Sequence, residues 1–353
     1  MSKRSYEQPA SPPPLAEDEP TQVLPSPSSN SLHADSPTQE LSTDSGESTA
    51  PRTANLRQLS PRAIRQTRPT FWALMQHIFA FILLGGVFLV TTVFFIQTEV
   101  GQQLDETAFN EFSYQFMRFQ PQTSQILDLI PATSGVLALV GIIFVLIWKH
   151  RFVPALVGLA VALVANAGTQ AFKSYLITKP NFGIQEAALN SAPSGHTTFA
   201  AAAGAALFLA APKVLRPLIA FISACFTVAA GFSTVVNGWH RPSDVVLAIL
   251  WTTMCTVVGM TILRYLRSEE LDLSENRRTG MVLVPLLSIS GFFLGFCSIA
   301  LYLMTYYDPI PGGALVAASF LILSATAFCT ATVIALLRAR NKQRSAYTKI
   351  WTY

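Results

Sequence analysis

Long apolar stretches alternate with short polar ones from residue 77 onward. Eight apolar runs stand out, near 77–97, 129–148, 152–172, 197–212, 217–236, 245–263, 281–304 and 313–337. Crossing a bilayer takes roughly 20 apolar residues, and most of these runs reach that length. The 197–212 run is the shortest and is Ala-rich, as expected of a helix packed inside a bundle. The pattern predicts an all-α, polytopic membrane helix bundle. Residues 1–70 break it with 11 of the 22 prolines, eight acids and seven bases. Such a segment buries too little apolar area to offset the entropy of ordering, which predicts a disordered tail. It holds no apolar run followed by a cleavage site, so no cleavable signal peptide is expected. The expected boundaries are a tail over 1–70, the first six runs over 71–268, a loop over 269–280, two additional transmembrane helices over 281–338 and a basic tail over 339–353.

Charge placement orients the spans, because Lys and Arg collect on the cytoplasmic side. Arg52 to Arg68 carries five arginines and no acid ahead of the first run. Thr98 to Asp128 then has five acids and one base, which suits the outside. Lys149 and Arg151, Lys213 and Arg216, and Arg264 and Arg267 mark alternate inner ends. Asp308 charges the loop between the last two runs, and Arg338, Arg340, Lys342, Arg344 and Lys349 end the chain. The expectation is a multi-pass cell-membrane protein with both termini cytoplasmic. The segments around 173–196 and 237–244 then share the extracytoplasmic face.

Composition narrows the classes further. The chain is 51% hydrophobic and 12% charged, against about 25% charged in a soluble domain. The net charge of +4 is spread among membrane-flanking loops, so nucleic acid is not an expected partner. Cys225, Cys255, Cys297 and Cys329 all fall inside apolar runs without a C-x-x-C spacing. Neither a zinc site nor a disulfide frame is indicated.

Three polar islands sit beside the ends of apolar runs: Lys173–Pro180 (KSYLITKP), Pro193–His196 (PSGH) and Ser233–Asp244 (STVVNGWHRPSD). Ionisable groups near hydrocarbon are costly and usually mark function. His240 and Asp244 are four apart near the start of the sixth run, so Asp244 can accept from the Nδ1–H of His240 and leave Nε2 as nucleophile or base. The alternative is a histidine that caps a helix end beside a solvated carboxylate. In the second island, Ser194 can cap a helix, Gly195 lets backbone approach a ligand, and the helix start offers N–H groups to an anion. His196 stands there with a proton to donate, although a plain turn before a helix explains the same residues. Lys173, Lys179 and Arg241 either bind an anion or snorkel to headgroups. Trp239 suits an interfacial anchor. Two histidines, a carboxylate, several cations and a glycine-lined helix start on one face together suit a phosphoryl group.

These islands resemble the three signature motifs of the type 2 phosphatidic acid phosphatase superfamily, and the GWHRPSD stretch is similar to bacterial, actinobacterial-like members. That family pattern is a Lys with Arg-Pro shortly after, then PSGH, then Ser-Arg, five residues, His, three residues and Asp. Lys173 takes the first place, with Lys179-Pro180 where Arg-Pro is expected. Pro193 to His196 match unchanged, and Ser233, His240 and Asp244 fit the third motif's spacing. The likeness covers about 77–266 and implies a six-helix core with two extra helices after it. It implies that His240 forms a phosphohistidine, Asp244 orients it and His196 protonates the leaving group. Lys173, Lys179, Ser194 and Gly195 would bind phosphate oxygens, with no metal or other cofactor. Thr234 stands where the third-motif arginine is expected, and Arg241 is the nearest cation in sequence to replace it. The implied activity is hydrolysis of a lipid phosphate or polyprenyl diphosphate. Phosphotransfer to a glycan or lipid acceptor and non-catalytic lipid binding are the alternatives.

Overall fold

The structure is a computed structural model. It describes residues 71–122, 124–125, 135–136, 139–143, 147, 151–185, 190–266 and 277–337, with backbone alone for 277–281. The two tails and most of the second apolar run therefore lie outside the described residues. The helices are α1 Phe71–Gln97, α2 Glu99–Gln115, α3 Phe152–Ala171, α4 Gly195–Ala210, α5 Arg216–Val236, α6 Pro242–Leu266, α7 Arg277–Tyr307 and α8 Gly313–Leu336. Among the described residues there is no strand. Among the described residues, six helices are long and apolar enough to cross a bilayer: α1, α3 with its continuation to Leu176, α5, α6, α7 and α8. This is the architecture of a multi-pass helical membrane protein. The 197–212 run forms α4, whose 16 residues are short for a span. The expected loop over 269–280 overlaps the first turn of α7, which begins at Arg277.

Most of α6 is buried, including Val245, Leu247, Ala248, Val257 and Met260, and α1, α2, α3, α4, α5 and α8 pack around it. Exposed apolar side chains on α1 (Phe79, Ile82, Leu89) and α7 (Ile289, Phe292, Phe296) face outward instead. In a bilayer, lipid covers such surface, and helix association rests on close packing of small residues. Gly158 shows that logic: a Cβ there would lie 2.8 Å from the backbone oxygen of Ala206. Trp251 fills the space beside Gly168 and donates Nε1–H to Ala165 O at 2.9 Å. α8 packs against α2, α5 and α6 as well as α7, so the last helix is part of the bundle.

The two ends of the bundle differ in charge. At one end, buried arginines donate to carbonyls that end helices: Arg151 to Ala211 O, Arg216 to Leu209 O at 3.0 Å and Arg264 to Leu336 O at 2.9 Å. Cations at helix C-termini complement the free carbonyls and the macrodipole. At the other end, Glu111 of α2 accepts from the N–H groups of Gly312 and Leu315 at 2.9 and 2.7 Å, capping α8 across space. Gly158→Ala should destabilise the α3–α4 contact, because backbone cannot yield as a side chain can. A loss of about 1–3 kcal/mol, typical of overpacking, should appear as a lowered unfolding midpoint in detergent.

Candidate active site

The first island lies at the end of α3, where Phe172–Leu176 form a π-helical turn closed by Ile177 N–H to Phe172 O at 3.0 Å. Such turns recur at functional sites. The Phe172 ring anchors this one between Phe88 and Trp251, with ring centroids 5.1 and 4.9 Å away. Lys173 is thereby aimed at the second island: a Cβ built on Gly195 would lie 3.8 Å from Lys173 Nζ.

The second island starts α4. Ser194 is the N-cap, its Oγ accepting from Thr197 N–H at 3.4 Å and Thr197 Oγ1–H at 3.0 Å. Thr198 joins α4 to α3 through a 3.0 Å bond with Thr169. The decisive link is to the third island: Ser194 N–H donates to the backbone oxygen of Asp244 at 2.9 Å.

The third island turns from α5 into α6. Gly238 takes a left-handed φ of +69°, which glycine adopts without strain. The turn lets the N–H groups of Trp239 and His240 both point at Thr234 O, at 3.0 and 3.3 Å. Thr234 itself is fully buried and donates its hydroxyl to Gly231 O at 2.7 Å. His240 Nδ1 lies 3.1 Å from Asp244 Oδ2, and both side chains are buried. The same carboxylate oxygen accepts from Ser191 Oγ–H at 2.6 Å and from Arg241 N–H at 3.3 Å. An ionised carboxylate only accepts, so Nδ1 carries the hydrogen of this bond and Nε2 is the ring nitrogen directed away from Asp244. The ring of His196 packs on Trp239, the residue before His240, with centroids 5.2 Å apart. Every motif residue is thus at one end of the bundle.

A helix within the acidic segment Thr98 to Asp128, α2, completes the site. α2 is capped by Thr98, whose Oγ1 accepts from Gly101 N–H at 3.0 Å. Its buried face carries Leu104, Ala108 and Phe112 at a spacing of four, the periodic signal that identifies it. Asp105 lies on that face, nearly inaccessible at 1% exposure, and accepts from Ser243 N–H at 3.1 Å and Ser243 Oγ–H at 2.6 Å. Its neighbour Glu106 accepts from Arg241 Nε–H at 2.7 Å, and the Arg241 guanidinium stands over Phe109 at 5.4 Å. Arg241 is therefore a buried, paired cation and not a snorkelling one. With Lys179 it lines a small pocket shared with Asp105, Asn190, Ser191 and Asp244. Burial holds the Lys179 amine below the ordinary lysine value, and the Arg241 charge adds to that effect.

Residues 112–268 match the family model of the PAP2 superfamily. The matched stretch contains all three islands and α3 to α6, and it begins inside α2, after Asp105 and Glu106. No curated protein and no solved structure matches the chain.

Burial pushes the Asp105 carboxyl up to about 7; the Ser243 hydrogen bonds oppose that shift, the Asp244 charge adds to it and Arg241 opposes it. The sign follows from proton uptake: between the ordinary aspartate value near ~4 and about 7, the folded chain holds the proton that the unfolded chain has lost. Stability from this group should be full below about pH 4, fall as pH rises through that window and level off above it. Chemical denaturation from pH 4.5 to 8 should show the decline, and Asp105→Asn should flatten that component.

Proposed function

We propose that the protein hydrolyses a lipid phosphate or diphosphate through a phosphohistidine formed at His240. The observation that carries this reading is the His240–Asp244 pair, joined by the Ser194 N–H bond to the turn that holds His196. With its Nδ1–H held by Asp244, His240 attacks phosphorus through Nε2. An N–P bond forms as the bond from phosphorus to the leaving oxygen breaks. His196 gives that oxygen its proton. Water then attacks phosphorus, His196 takes a proton from it, and inorganic phosphate leaves with His240 restored. Lys173, Ser194, Gly195 and the N–H groups at the start of α4 bind the equatorial oxygens. Lys179 and Arg241 add positive charge, with Arg241 standing in for the arginine absent at Thr234. The scheme requires no metal.

The position of the pocket supports a lipid substrate. It is at the end of six apolar helices long enough to cross a bilayer, where the phosphates of lipids reside. We assign this end to the extracytoplasmic face. Arg151, Arg216 and Arg264 cap helices at the opposite end, and positive residues favour the cytoplasmic side. Both termini are then cytoplasmic. Polyprenyl diphosphate, phosphatidate and phosphatidylglycerophosphate are the substrates to test.

Purified protein in detergent with a metal chelator should release inorganic phosphate from at least one of these lipids. His240→Ala should reduce that rate by ~10³-fold or more, as removal of a nucleophile does, and His196→Ala should also be severely impaired. Absence of release across the panel, or an unimpaired His240→Ala variant, would refute the assignment. Arg241→Ala should weaken turnover of the same substrate by ~10-fold or more, the scale expected when one charged contact to a transition state is lost.

A further inference from the structure

We infer that Asp105 of α2 is a positioning residue for the His240–Asp244 pair. The inference rests on the function proposed above and adds to it a residue outside all three islands and outside the matched family region. Ser243 lies between His240 and Asp244 in the first turn of α6. N–H groups in a first turn have no acceptor within their own helix. Asp105, 138 residues away in sequence, supplies one for Ser243 and takes the Ser243 hydroxyl hydrogen with its other oxygen. This fork fixes both the position and the rotation of the turn. A rotation would swing Asp244 away from His240 Nδ1, 3.1 Å distant, and from Ser191 Oγ, 2.6 Å distant.

The support behind Asp105 is itself held in place. Gln102, one turn earlier on α2, donates Nε2–H to Ile96 O at 2.7 Å and to Pro180 O at 2.9 Å. Glu106 holds Arg241, and Glu111 holds the start of α8. One amphipathic helix therefore ties the first island's trailing loop, the nucleophile's turn and the last helix together. A buried carboxylate beside a second one is costly unless hydrogen bonds compensate it. The two bonds to Ser243 offset part of that cost and engage both Asp105 oxygens at the wall of the small pocket. Asp105 acts through α6 and not on the phosphoryl group.

Two substitutions separate grip from charge. Asp105→Asn keeps an oxygen for Ser243 N–H and can donate its amide hydrogen to Ser243 Oγ. Asp105→Ala keeps neither bond. In the full-length protein, on whichever lipid of the panel the wild type hydrolyses, Asp105→Ala should lower kcat by ~10–100-fold with KM within about threefold, an effect on transition-state geometry and not on binding. Asp105→Asn should stay within about threefold of wild type in kcat at neutral pH. Ser243→Ala, which loses the hydroxyl bond alone, should be intermediate and covers the case where Asp105→Ala does not fold. Amide hydrogen exchange of residues 241–247 should accelerate in Asp105→Ala and not in Asp105→Asn. That readout needs no turnover, so it tests the grip even if the proposed reaction fails. Wild-type kcat in Asp105→Ala or, if that variant does not fold, in Ser243→Ala, would overturn the inference. So would equal impairment in Asp105→Asn and Asp105→Ala, or unchanged exchange in the variants.

Discussion

The site depends on one carboxylate, Asp244. Its Oδ2 accepts from a serine hydroxyl, an imidazole N–H and a backbone N–H, while its backbone oxygen accepts from Ser194. Two islands, linked through Ser194 and Asp244 fifty residues apart in sequence, therefore share a single residue as their joint. Buried carboxylates are tolerated when their oxygens are filled with donors, and Asp244 at 3% exposure meets that condition. The same bonds that make it tolerable orient His240. Structural need and the proposed chemistry coincide at this residue.

Helix termini supply the electrostatic frame. Besides the short α2, three described helices, α4, α6 and α8, start at the site end. Carboxylates meet two of these starts: Asp105 at α6 and Glu111 at α8. The third, at α4, has the lysine ammonium of Lys173 beside it. The positive ends of α6 and α8 are thus compensated from within the protein, while α4 adds its own partial charge to a cation, which is the combination that draws an external anion. The arginines at the opposite end answer the carbonyls that finish α4 and α8.

Much of this was legible in the amino-acid sequence, for physical reasons. Apolar runs of bilayer length reveal helices directly, and six of them are long enough among the described residues. The i, i+4 spacing of His240 and Asp244 foretold their contact, because a first helical turn brings such residues together. PSGH announced a capped helix start, and Ser194 is that cap. α2 was less legible. Its acids read as a sign of exterior charge, whereas three of them turn inward or across to other helices: Asp105 to Ser243, Glu106 to Arg241 and Glu111 to α8. The amphipathic stripe of Leu104, Ala108 and Phe112 was present, but a short polar helix lacks the length signal that betrays a span. Pairings over more than a hundred residues, such as Glu106 with Arg241, leave no local spacing to read. The role of Arg241 likewise needed the fold, since sequence alone left it between an anion contact and an interfacial anchor.

The central claim is that the imidazole held by Asp244 becomes covalently phosphorylated. The direct measurement is rapid acid-free quenching of the protein with lipid bearing labelled phosphate, followed by peptide mapping. The account predicts label on the His240 peptide that survives base and is lost in acid, as a phosphoramidate is, and no label in His240→Ala. Turnover with label on another residue, or hydrolysis undiminished in His240→Ala, would contradict it.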